Sequence, residues 1–100
     1  MTMNLTIKQY ASIKRTVKKL SRQHKKMLDD EIKKLMRDPA IGERKKGDLD
    51  FLWVHKFKFS NQEFLLGYMY ENDELILTLL KLGVHENFYR DIKKDLSEAL

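Results

Sequence analysis

One hundred residues suffice for one domain and not for two, and at this size nearly every apolar side chain has to enter a single core. A hydrophobic share of 42% is that of a globular chain, and the absence of cysteine excludes a disulfide scaffold, a thiolate metal site and a cysteine nucleophile together. The net charge of +5 is lopsided: residues 1–50 hold fourteen Lys and Arg against seven Asp and Glu, and residues 51–100 hold six against eight. The first half would therefore draw a phosphate backbone or an acidic protein segment, unless its lysines only keep helix faces in water.

Met1-Thr2-Met3-Asn4-Leu5 lacks the apolar run of a signal peptide, and Leu5 with Ile7 reads as a short first strand. Tyr10, Ile13, Val17 and Leu20 then form one stripe of a helix whose other face carries Lys14, Arg15, Lys18, Lys19 and Arg22. Ser21 breaks the pattern and is placed to cap a second helix with the stripe Leu28, Ile32 and Leu35. Asp29 with Lys33 and Asp30 with Lys34 are acid-before-base pairs one turn apart. Asp38 before Pro39 ends this helix. The short joint predicts an antiparallel helical hairpin.

After Pro39 the apolar period falls from helical to near two. Residues 41–50 read as a loop containing Gly42, Gly47 and the cluster Arg44-Lys45-Lys46. In residues 52–59, Phe57 and Phe59 alternate with Lys56 and Lys58. Ser60-Asn61-Gln62-Glu63 is a polar turn, residues 64–70 an aromatic-rich strand, and Glu71-Asn72-Asp73 a second turn. Residues 75–82 are apolar on both faces and belong inside the sheet; broken by Thr78, they are too short to span a bilayer, so no membrane association and a cytoplasmic location are expected. Phe88, Ile92 and Leu96 predict a C-terminal helix, capped by Asn87.

The expected fold is α+β. A two-helix hairpin lies on a three- to four-stranded antiparallel sheet, covering Phe57, Phe59 and His55, with a short helix at the end. The sheet face of Lys56 and Lys58 stays partly open, as a nucleic-acid surface or as the ordinary solvent face of such a sheet. His24, on a basic helix, is expected in solvent, and Trp53 partly buried. Three scattered histidines and no cysteine make a poor metal site, and no cofactor is implied.

The ordered set of a basic helical hairpin, Lys-Lys-Gly-Asp-Leu at 45–49, Val-His-Lys-Phe-Lys-Phe at 54–59 and Leu-Leu-Gly-Tyr at 65–68 resembles the RelE/ParE superfamily of toxins. The run from Leu82 through Gly83, Val84, His85 and Tyr89 to Asp91 is its most specific part, similar to the histidine-using branch that cleaves mRNA on the ribosome. The resemblance covers residues 1–100 as one domain. It implies a β-α-α-β-β-β order, an antitoxin partner, and either ribosome-dependent mRNA cleavage, which halts translation, or inhibition of DNA gyrase. Better-known nucleases of the superfamily carry an arginine in the middle strand, where this chain has Leu65-Leu66, and a second after the last strand, where it has His85.

Metal-free RNA cleavage needs a base for the ribose 2′-OH, cations for the charge gathering on phosphate, and an acid for the leaving 5′-oxygen. His85 is the residue suited to acid or base work near neutral pH, and its plain rival is a loop histidine at a strand end. Lys56 and Lys58 could stabilise the phosphorane, or be a solvated strand face. Tyr89 could stack on an unpaired base, or pack on its own helix. Arg44, Lys45 and Lys46 could guide the backbone, or be a charged loop.

Overall fold

The computed structural model describes residues 6–71, 76–84 and 88–99. Strand β1 (Thr6–Gln9) leads into helices α1 (Ala11–Lys18) and α2 (Arg22–Arg37). Strands β2 (Glu43–Arg44), β3 (Trp53–Phe59), β4 (Gln62–Glu71) and β5 (Ile76–Gly83) follow, then helix α3 (Phe88–Ala99). The helix boundaries fall where the local chemistry puts them. Ser21 Oγ accepts from His24 N at 3.2 Å and opens α2, and Asp38 before Pro39 closes it. Asn87, the expected cap of α3, lies outside the described residues.

The sheet order is β1-β5-β4-β3-β2. β3, β4 and β5 form the expected antiparallel meander. The sheet is nevertheless larger than the pattern predicts and mixed in direction. β1 pairs with β5 in parallel, Thr6 opposite Ile76 and Gln9 opposite Leu79, and Tyr10 N extends the ladder to Leu79 O. Glu43 and Arg44, read as loop, add a two-residue strand against Val54 and Trp53. Two residues are too few to show an alternation. The β3–β4 turn is also tighter than expected: Ser60 and Asn61 alone connect Phe59 to its partner Gln62, both with positive φ (52° and 64°). That is the primed hairpin turn whose twist matches the strands.

Both faces of the sheet bear core. On one side Leu66, Tyr68, Leu79 and Leu82 pack against Ile13, Leu28 and Leu35 of α1 and α2. Leu79 and Leu82 are three apart, and strict alternation would send them to opposite faces. The register slips between Gly67 and Tyr68, which face Lys81 and Leu79 in turn, so Leu80 is the extra residue of a bulge and both leucines turn to the helices. On the other side Leu52, Val54 and Leu65 pack against Phe88 and Ile92 of α3. Gly67 makes room for that helix: a Cβ there would lie 3.0 Å from both Phe88 and Ile92. The face expected to be partly open is thus closed by α3 over Val54 and Leu65, while Lys56 and Lys58 stay exposed.

Parity places His55, Phe57 and Phe59 under the hairpin, as expected. His55 Nε2 donates to Glu31 Oε1 at 2.8 Å, and Lys34 Nζ donates to Glu31 Oε2 at the same distance. Lys34 is therefore held by Glu31, not by Asp30. His24 departs from expectation: its ring packs against Phe59 and Phe64, with centroids 4.9 and 5.9 Å away, and Nδ1 lies 2.7 Å from Ser21 Oγ. The first turn of α2 overhangs the β3–β4 hairpin, which draws this histidine out of solvent. Trp53 is half-buried as expected, stacked on Tyr68.

Candidate active face

The α3 side of the sheet gathers most of the residues singled out in the sequence. Lys56 stands opposite Leu65, and Leu65 opposite Gly83, so the three share one row and one face. Two strand spacings put the Lys56 backbone roughly 10 Å from Gly83. His85, two residues further along the chain, lies outside the described residues, as does its place relative to Lys56. Lys58 is exposed opposite Glu63, an acid–base pair across the strands.

Tyr89 sits in the first turn of α3, half-buried, its ring edge-on to Phe88 at 5.3 Å. Lys45 Nζ lies 5.3 Å from the Tyr89 ring centre and 3.2 Å from Glu43 Oε1. Burial by itself would lower the Lys45 pKa; the contacts with Tyr89 and Glu43 outweigh it and raise the pKa above the ordinary lysine value. The ammonium is therefore firmly charged. β2 sets this up, because pairing Glu43 with Val54 turns the glutamate to the α3 side and Lys45, two residues on, follows the same parity. Tyr68 in turn anchors the approach to β2. Its buried hydroxyl donates to Pro39 O and accepts from Gly42 N at 3.2 Å, and a Cβ on Gly42 would collide with that hydroxyl.

Arg44, Lys45 and Lys46 line a shallow hollow of about 330 Å³ with Gly47 and Asp50. Arg44 Nε donates to Asp50 O at 2.9 Å, which fixes the loop, while Lys46 is exposed. Lys45 of the loop cluster and Tyr89, far apart in sequence, thus meet at one point. Glu43 escaped notice in the sequence, although an acid two residues before a lysine in an extended segment is a signal for such a pair. Glu31 escaped too, although it sits in the apolar stripe of α2 between Leu28 and Leu35.

A family model, that of the ParE-like toxin of type II bacterial toxin–antitoxin systems, matches residues 7–93. The chain belongs to this toxin family. Its fold is similar to that of an Escherichia coli RelE toxin carrying two arginine-to-alanine changes, in the free state (TM-score 0.72, 12% identity, covering 98% of this chain and 99% of that one). It is also similar to the toxin–antitoxin complex RelBE2 of Mycobacterium tuberculosis (TM-score 0.69, 14% identity, 83% of this chain and 100% of that one). The intact E. coli RelBE complex is similar as well (TM-score 0.66, 14% identity, 83% of this chain and 99% of that one). No curated protein matches the chain significantly. The toxin therefore has the RelE-like α+β fold expected from its sequence. Among the described residues none of its helices is long and apolar enough to cross a membrane.

Proposed function

We propose that this toxin is an mRNA endoribonuclease that acts on the ribosome, and that the message lies across the α3 side of the sheet. The supporting observation is that Lys56 is exposed in the same cross-strand row as Gly83, with the Lys45–Tyr89 pair on the same face. A cleaved RNA strand needs no water as nucleophile. The ribose 2′-oxygen attacks the adjacent phosphorus, its proton passes to a base, and the 5′-oxygen leaves with a proton from an acid. The products are a 2′,3′-cyclic phosphate and a 5′-hydroxyl. His85 is assigned the proton transfer, Lys56 and Lys58 the charge on the phosphorane, and Tyr89 the stacking of a base. Arg44, Lys45 and Lys46 hold the backbone on the approach. Two of the similar structures are toxin–antitoxin complexes, which supports a cognate antitoxin as the neutralising partner.

Induced expression in bacteria, followed by primer-extension mapping of transcripts, tests the reading. The wild type should give a ladder of new 5′ ends. His85→Ala should abolish it and relieve growth arrest, and Lys56→Gln should weaken it by about 10²- to 10³-fold. A His85→Ala variant as toxic as the wild type sinks the nuclease assignment. The ParE-like family match favours one second reading, inhibition of DNA gyrase, which uses neither His85 nor a 2′-hydroxyl. A DNA-damage response without transcript cleavage is its signature.

A further inference from the structure

A second cationic hollow lies at the opposite end of the sheet order from β2 and β3. β1 accompanies β5 only as far as Leu79, and where β5 runs on, α1 passes beside it. Ser12, Arg15, Thr16, Lys19, Leu20 and Lys81 surround a hollow of about 340 Å³ there. Arg15 and Lys19 stand one turn apart on the same helix face, an arrangement in which like charges repel. The chain contains no Asp or Glu from Met1 to Leu28, and among the described residues no carboxylate pairs with either side chain. Lys81, arriving from the sheet, adds a third cation and donates to Ser12 Oγ at 3.4 Å. Having accepted from a lysine, the Ser12 hydroxyl keeps its own hydrogen to donate.

We propose that this hollow is a separate phosphate site, which grips an RNA backbone beside α1, at the other end of the strand order from the Lys45–Tyr89 pair. The proposal goes beyond the nuclease reading and does not depend on it. Three cations and a hydroxyl converging on one small space suit a tetrahedral, multiply accepting anion. An acidic protein helix would need apolar anchors at helical spacing as well, and the hollow offers only Leu20.

The test is fluorescence anisotropy with a 2′-O-methyl RNA oligonucleotide across a potassium chloride series. Without a 2′-hydroxyl the probe cannot be cut, so binding is read apart from catalysis. Arg15 and Lys19 are exposed, and Arg15→Gln with Lys19→Gln should leave the fold intact. The double variant should bind more weakly, with the slope of log K against log salt shallower by about 1.4, two phosphate contacts at about 0.7 each. The same decrement should appear on top of Lys56→Gln with Lys58→Gln, since neither of those lysines lines the hollow. The charge-preserving swap Arg15→Lys with Lys19→Arg should restore the slope. An unchanged slope in the double variant overturns the proposal. So does a double variant that keeps its RNA slope but loses a polyglutamate peptide, which would give the hollow to a protein partner.

Discussion

Tyr68 carries more of the architecture than its place in an aromatic-rich strand announces. Burial pushes its hydroxyl pKa up to about 12, against the opposing bond from Gly42 and with a further push from Asp38. The group is thus a neutral donor and acceptor at any ordinary pH. Tyr68→Phe would strand Pro39 O and Gly42 N, and should cost about 1–3 kcal/mol in urea unfolding. Glu31 has the opposite character. Burial alone would raise its pKa, but the bonds from Lys34 and His55 outweigh it and hold the carboxyl below its usual 4.5. A depressed pKa contributes stability that is complete above the unfolded value and lost as pH falls through the folded one. Thermal melts of wild type from pH 6 to pH 3 should fall more steeply than those of Glu31→Gln; parallel curves would contradict this. The exposed lysines of β3 were legible from parity alone, because Phe57 and Phe59 needed the helices. The meeting of Lys45 with Tyr89 was not, since it depends on where β2 and α3 dock, which no local pattern encodes.

Among the elements, the helices could be read from the sequence because each term of their code is local: stripes at three and four, Ser21 as cap, Pro39 as stop. The sheet could be read only in part. The bulge in β5 breaks the period on which strand reading rests, and the parallel pairing of β1 joins residues from distant parts of the chain. The β3–β4 hairpin makes its own prediction. L-residues in left-handed conformation cost roughly 1–2 kcal/mol each, least for asparagine. Asn61→Gly should therefore raise the urea midpoint by the equivalent of about 1 kcal/mol or less, with the denaturant dependence unchanged. Gly67→Ala should act the other way. A methyl 3.0 Å from Phe88 and Ile92 lifts α3 from its seat. Amide exchange should quicken along α3 while the β3–β4 ladder keeps its protection.

At the scale of the whole molecule the sheet is a partition. α1 and α2 close one side and α3 part of the other, and cationic groups lie beyond the cover on each. Net charge alone could not distinguish one basic surface from two; only the sheet order, which sends β1 and β2 to opposite edges, separates them. The pairing of β1 with β5 also bears on how the fold is reached during translation. β1 precedes the other strands in the chain, yet among the described strands it hydrogen-bonds only to β5, made after the meander's other strands. Until then β1 has no ladder to join, and the apolar side of α1 lacks the Leu79 and Leu82 it packs on. Completion of the sheet is thus postponed until β5 has been made. Any fragment that stops short of β5 therefore leaves β1 without the strand that would seat it.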